Sequence, residues 1–446
     1  MKKNIIFILI DGLRADLCFG IKKTSKTNFI NKLSSNGISF TNTFSSADGT
    51  FISLNCLFNS KFQFETGLRA RQIILQKENY LEILEKNNFE IYGMIPELTS
   101  LKPLRKYFRN NDCTYFQGPP PDTLSTGLDD KIQKIVEELK TKEQWFFYLH
   151  LFDLHPLREG RLPKNLNQFD SEEYGDNLHA KTLSMIDNML MKIFKDIDLD
   201  NTIIVLTSDH GEIIPYDGKI SSDFEPKFSL AKKIGKNVIP KSYHNNVGKV
   251  FGNIKKSIGN KRLEESNKTL SNYEKRSRDP YFTLSLFDEL LHIPLIISGI
   301  EKQNLKINNF VSALDIFPTI FDYLEIKDSV ERHGTSLIPL INNQNFNRKP
   351  IFLHTIPYEK ESLLDRIGIR TDEFKYFRNA KNSKKDINLY NIIKDPFENN
   401  NIAKENPMKV KEMEEILDKI QVSKTESNVE ENEEEISEEL RKLGYL

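Results

Sequence analysis

The sequence predicts an α/β fold: a large, mostly parallel sheet covered by helices on both faces, with a small C-terminal antiparallel α+β subdomain. Three observations carry this expectation. Continuous apolar runs at 4–10 (NIIFILI), 145–151 (WFFYLHL), 202–207 (TIIVLT) and 292–300 (HIPLIISGI) read as strands buried on both faces, as in a parallel sheet. Segments with helical spacing stand between them, the alternation of a helix-covered sheet. From about residue 350 the pattern changes to short strands with turn residues, in KPIFLHTI, DRIGIRTDEFKYFRN and INLYNIIKDPFENNN.

Taken in order, the first strand runs directly into Asp11 and Gly12, the glycine letting the backbone turn sharply. MKKNIIFILI imitates the start of a signal peptide, yet its apolar stretch is only about seven residues and no small-residue cleavage site follows. It reads as a core strand of a cytoplasmic protein. Residues 128–140 place Ile132, Ile135, Val136 and Leu139 on one helical face, and 178–195 do the same with Ile186, Met189, Leu190 and Ile193. The strand at 145 ends in His150, Asp153 and His155. The strand at 202 ends in Asp209, His210, Gly211 and Glu212.

Beyond Glu212 the chain turns polar and weakly periodic. Residues 213–280 read as an insertion at the crevice end of the sheet, where loops carry specificity. Its basic residues (Lys227, Lys232, Lys233, Lys236, Lys241, Lys249, Lys255, Lys256, Lys261, Arg262) suit either an anionic substrate or a solvated loop. The expected organisation is a catalytic α/β domain at 1–345, the antiparallel subdomain at 346–410, and an acidic tail at 411–446 closed by the apolar LRKLGYL.

Composition excludes several classes. A net charge of −1 over 446 residues gives no global attraction to nucleic acid or anionic membranes. Three cysteines without CxxC spacing argue against a disulfide scaffold and against a zinc site built on thiolates. No segment approaches the ~20 apolar residues that span a bilayer.

Asp11 and Asp209 each read, alone, as a helix cap or turn residue. Two buried strands that both deliver a hard ligand at their carboxyl ends mark a divalent-metal site instead, because those ends face the ligand crevice of an open α/β sheet. Thr50 follows the flexible pair Asp48-Gly49 and opens an apolar helix-like run. Alone it reads as a helix cap; a hydroxyl at a helix start also suits an anionic ester.

The order of these pieces resembles the sulfatase branch of the alkaline-phosphatase superfamily along nearly the whole chain. The matching segments are IIFILIDGLRAD, GISFTNTFSSADGTFISLNCLF, FFYLHLFDLHP, VLTSDHGE, LFDELLHIPLIISG, VSALDIFPTIFDYLEI, RHGTSLIPLI, GIRTDEFKYF and LYNIIKDPFENNNIA. The resemblance implies that Asp11, Thr50, Asp209 and His210 hold one divalent metal ion. It also makes Thr50 the nucleophile and His155 the general acid, with His150, His292, Arg14 and Lys375 binding substrate. His333 and His354 read as hydrogen-bonded structural histidines.

The chain departs from the family pattern in three places. Sulfatases carry C/S-x-P-S-R, whose first residue becomes formylglycine; here the five positions are Thr50-Phe51-Ile52-Ser53-Leu54, and Cys56 lies six residues too late. A glycine-histidine-glycine is replaced by Tyr281-Phe282-Thr283, leaving His244 as a substitute, and the carboxylate often beside Asp11 is Gly12. Formylglycine chemistry is therefore not expected. His210 brings an imidazole to the donor set, which favours Mn²⁺ or Zn²⁺ over Ca²⁺. The expected activity is a metal-dependent hydrolase or transferase acting on phosphate esters of a small molecule, glycan or lipid headgroup. A sulfatase without formylglycine and a non-catalytic binding relative are the rivals.

Overall fold

The computed structural model describes residues 3–66, 72–118, 121–158, 160–225, 244–279 (backbone alone through 254), 285–355 and 364–421. Eight strands form the principal sheet: β1 (Asn4–Ile10), β2 (Gly37–Phe44), β3 (Glu90–Pro96), β4 (Thr114–Tyr115), β5 (Trp145–Leu151), β6 (Thr202–Thr207), β7 (His292–Ser298) and β8 (Leu305–Ser312). Their order is β4-β3-β5-β1-β6-β7-β2-β8. All neighbours are parallel except the pairs that β7 makes with β6 and β2.

The continuous apolar runs are explained by double coverage. Ile5, Phe7 and Leu9 of β1, with Phe146, Tyr148, Ile203 and Val205, share one core with the helices Thr50–Asn59, Tyr80–Lys86 and Ile316–Tyr323. Phe7 stacks on Phe317 there at 5.4 Å between ring centroids. The alternate residues Ile6, Ile8, Leu149, Ile204 and Leu206 are equally buried. The helices Asn28–Ser35, Leu128–Leu139 and Leu178–Ile193 pack together with their apolar stripes buried. Both spaced helices read from the sequence are present.

A second sheet holds β9 (Ile351–His354), β10 (Arg366–Arg370), β11 (Phe374–Asn379) and β12 (Asn388–Asn391), antiparallel in the order β12-β11-β10-β9. Its Phe352, Ile369 and Tyr376 share a core with Ile52 and Cys56 and with Met413 and Leu417 of the helix Pro407–Gln421. That helix runs through the boundary expected at 411. It is anchored by Arg378, whose Nε donates to Glu414 Oε1 at 2.9 Å.

The chain forms two compact units: 1–212 with 284–396 and 401–446, and 213–283 with 397–400. Within the second, Arg278 pairs with Asp217 at 2.6 Å and donates to Asn267 Oδ1 at 2.6 Å. Ser271 and Glu274 form a reciprocal cap on the helix Asn272–Ser277. Of the basic residues noted in this stretch, Lys255 pairs with Glu225 at 2.7 Å. Lys227, Lys232, Lys233, Lys236, Lys241, the side chains of Lys249 and His244, Tyr281-Phe282-Thr283 and the tail from 422 lie outside the described residues. Among the described residues no helix is long and apolar enough to cross a membrane.

Candidate active site

The parallel register of β1 and β6, with Leu9 opposite Thr207, brings their carboxyl ends to the same edge. Ser208 ties those ends together: its Oγ accepts from Leu13 N–H at 3.0 Å and lies 2.7 Å from both Ile10 O and His210 O. Gly12 takes a left-handed φ of +69° and donates its N–H to Asp209 Oδ1 at 3.3 Å. Gly211 is required for a different reason, since a Cβ there would stand 2.1 Å from Glu289 O.

The third component arrives from β2. After Phe44, Ser45 N–H donates to Leu291 O at 2.8 Å and the Ser45 hydroxyl meets that of Ser53 at 2.9 Å. Gly49 precedes the helix Thr50–Asn59, of which every residue is buried. Thr50 is thus its first residue rather than its cap. Its Oγ1 donates to Asp11 Oδ2 at 2.9 Å and lies 3.3 Å from His210 Nε2. One ligand atom each from Asp11, Asp209 and His210 falls within 4.8 Å of the other two, and all three residues are buried.

The electrostatics of this cluster are those of charges lacking a counter-ion. His210 Nδ1 donates to Gly211 O at 2.6 Å, which turns Nε2 toward Thr50 and the carboxylates. Burial works against a charged imidazole, but Asp209 and Asp11 overcome it and lift His210 to about 9. Burial and the neighbouring Asp11 raise Asp209. Burial also opposes ionisation of Asp11, yet His150, 3.8 Å away and too far for a hydrogen bond, and the charges of His210 and His155 hold it well below the usual carboxylate range. Asp209 Oδ2 and His150 Nε2 are buried without hydrogen-bond partners. Buried orphan atoms of this kind require an explanation. Two carboxylates, an imidazole nitrogen and a hydroxyl converging on one point fit a divalent cation.

The other residues singled out from the sequence divide into two groups. His150 is fully buried beside Asp11, and His155 packs its ring on Phe152 at 5.3 Å, close enough to act on Asp11 through its charge. The remainder are held elsewhere. His292 Nε2 donates to Thr41 O at 2.7 Å and its ring stacks on Phe44. Lys375 Nζ donates to Asp288 Oδ1 at 2.7 Å, and Arg14 forks onto the carboxylate of Asp16. His333 Nε2 donates to Glu65 Oε2 at 2.5 Å, whereas buried His354 Nδ1 has no hydrogen-bond partner. Ser208 was missed by the sequence reading; its position between a buried strand and two ligands was the available signal.

The family model described as Sulfatase matches residues 3–326. The chain belongs to the sulfatase family. The model of the N-sulphoglucosamine sulphohydrolase C-terminal region matches this sulfatase-family chain at 281–426. Arylsulfatase K of Mus musculus is 28% identical over 134 residues, 28% of this chain and 24% of that protein. N-acetylglucosamine-6-O-sulfatase of Bacteroides thetaiotaomicron is 28% identical over 159 residues, 33% of this chain and 28% of that protein. The chain thus aligns with about a quarter of the length of these curated relatives. Among solved structures, a 2-O GAG sulfatase superposes with a TM-score of 0.66 at 17% identity, covering 98% of this chain and 96% of that one. The phosphonate monoester hydrolase of Agrobacterium radiobacter superposes at 0.60 with 14% identity, covering 95% and 96%. These likenesses establish the fold.

Proposed function

We propose that this chain is a metal-dependent ester hydrolase or transferase that uses unmodified Thr50 as its nucleophile on a phosphate ester. The observation that carries the reading is the Thr50 hydroxyl, hydrogen-bonded to Asp11 at 2.9 Å and 3.3 Å from His210 Nε2. Asp11, Asp209, His210 and Thr50 would hold Mn²⁺ or Zn²⁺, which supplies charge neutralisation and a lowered hydroxyl pKa. Asp11 orients the Thr50 hydroxyl and accepts its hydrogen bond. The first amides of the helix Thr50–Asn59 lack intrahelical partners and suit the ester oxygens. His155 protonates the departing alkoxide, and water or an acceptor alcohol then attacks phosphothreonine and frees Thr50. Arg14, Lys375 and His292, which also pair with Asp16, Asp288 and Thr41, would help bind the anionic ester.

Phosphorus is favoured by what Thr50 lacks. A formylglycine hydrate expels sulfate through its second hydroxyl, whereas a threonine sulfate has no such route. The substrate is an anionic ester of a small molecule, glycan or lipid headgroup. The three free, buried cysteines are in keeping with a cytoplasmic protein.

A sulfate-ester reading is favoured by the relatives, whose names include arylsulfatase, N-acetylglucosamine-6-O-sulfatase and 2-O GAG sulfatase. A binding-module reading is favoured by Ile52 and Leu54, both fully buried where the family pattern has proline and arginine. One screen separates all three. Mn²⁺-loaded protein is offered phosphate monoesters, phosphate diesters and aryl sulfates, and the peptide containing Thr50 is then sequenced by mass spectrometry. Phosphoester turnover with phosphate on Thr50 is the expected result. Turnover of sulfate esters alone supports the second reading, and no turnover of any ester supports the third.

A further inference from the structure

Strand β5 delivers His150 and His155 to the site, and its carboxyl end is held on one side by a side chain instead of a strand. β3 pairs with β5 in parallel as far as Met94 opposite Leu149. Continuing that register sets Pro96 opposite Leu151, where a parallel ladder would offer an N–H to His150 O and a carbonyl to Phe152 N–H. Proline has no N–H, and Pro96 O is taken by Leu98 N–H at 2.9 Å as β3 turns away. Tyr115 of β4 fills both places: its hydroxyl donates to His150 O at 2.6 Å and accepts from Phe152 N–H at 3.1 Å. Burial holds this phenol well above its usual range, so the proton stays. On the opposite side of β5, Leu151 O receives Asp11 N–H at 2.9 Å.

The two backbone groups that Tyr115 holds belong to the residues that set the histidine rings. The Phe152 ring meets both histidines, edge-on to His150 at 5.0 Å and stacked on His155 at 5.3 Å between ring centroids. His150 Nε2 stands 3.8 Å from Asp11 Oδ2. We infer that Tyr115 is a positioning residue of this site. Its hydroxyl replaces the ladder contacts that Pro96 does not make, and thereby fixes His150 directly and His155 through the Phe152 ring. The inference rests on the reading above in which His155 is the acid. It also gives β4, a strand of only two residues, a task beyond extending the sheet.

Tyr115→Phe keeps the ring and removes the hydroxyl, and two measurements on the full chain test its role. In metal-free protein carrying nitrogen-15-labelled histidine, the ring signals of His150 and His155 are expected to shift while those of His333 and His354 stay in place. With Mn²⁺ and a phosphate monoester, kcat should fall about tenfold with KM within about twofold of the parent. The same substitution in a His155→Ala background should cost nothing further, because it acts through that residue. Adding Pro96→Ala to Tyr115→Phe returns an N–H opposite His150 O and should restore most of kcat; if Tyr115→Phe alone does not fold, folding regained in the double variant is the same restoration. Unmoved histidine signals, an undiminished effect in the His155→Ala background, or a double variant that recovers nothing would each overturn the inference and leave the active-site reading standing. If the parent turns over no ester, that reading falls, and the histidine signals alone decide whether Tyr115 sets the rings.

Discussion

Two buried charged clusters sit in the same unit and are built on opposite principles. Around Asp288, opposite charges close on themselves. Its Oδ1 accepts from Arg370 Nη1 and Lys375 Nζ, both at 2.7 Å, and the Arg370 guanidinium lies 3.5 Å from the Phe44 ring centroid. Burial opposes ionisation of Asp288, but Arg370 and Lys375 hold it down to about 2. Around Asp11 and Asp209 the opposing charge comes from histidines, and atoms are left over: Asp209 Oδ2 and His150 Nε2 have no hydrogen-bond partners. A cluster whose opposite charges are paired, even with Arg370 Nε left over, is a structural joint, here between the helix Asp288–Leu291 and the second sheet. One with surplus negative charge and orphan atoms is arranged for something not part of the chain.

The largest effect that would break this contrast is on chemistry. Thr50→Ala leaves both clusters their charges and the fold its helix, and it removes only the proposed nucleophile. Phosphoester turnover should fall on the order of 10³-fold or more, with an unchanged thermal midpoint. Residual turnover near the parent level would remove Thr50 from the mechanism.

Next in size is the structural joint. Asp288→Asn strands Arg370 and Lys375, buried, without their counter-charge. Breaking such a pair from one side costs about 3 kcal/mol, to be read from urea unfolding. Asp209→Asn in chelator should cost less, because it lessens repulsion beside Asp11 and leaves Asp11 facing the His210 imidazolium: its midpoint should fall by less than that of Asp288→Asn. With Mn²⁺ the order inverts. The parent should gain about 2.7 kcal/mol at a hundred times the dissociation constant, and Asp209→Asn should gain nothing. Equal losses for the two variants in chelator would erase the distinction between the clusters.

The contrast also explains what could be read from the chain beforehand. Asp11, Asp209, His210 and Thr50 were legible because each sits at the end of an apolar run or the start of a helix, and such signals are local. The parallel sheet was legible for the same reason, but the reversal of β7 was not, since an apolar run reads alike in either direction. The Asp288 joint was invisible, its partners lying 82 and 87 residues away with no periodic pattern to link them. Residues 397–400 gave no local sign of belonging with 213–283, where Arg276 Nη1 donates to Glu398 O at 3.0 Å. The pairing of Lys375 with Asp288 and of Arg14 with Asp16 was equally illegible, because an ion pair is a tertiary fact.

A third buried carboxylate, Asp153, lies just past β5 and belongs to neither cluster. Its Oδ1 accepts from Leu124 N–H at 2.8 Å, its Oδ2 has no hydrogen-bond partner, and burial raises it to about 7. The folded protein therefore holds a proton there that the unfolded chain releases near 4. Between those values folding takes up a proton, so the contribution of Asp153 to stability falls as pH rises through the window, by up to about 1.4 kcal/mol per unit. Asp288 has the reverse dependence: it holds fewer protons when folded, and its contribution is lost as pH falls below 4 toward 2. Asp153→Asn keeps an oxygen for Leu124 and removes the titration. The difference in urea midpoint between pH 5 and pH 8 should accordingly shrink in this variant, while its acid limb below pH 4, set in part by Asp288, stays in place. A variant with the parent's full slope between pH 5 and 8 would mean that Asp153 ionises inside the fold, and its orphan Oδ2 would then need a partner of its own.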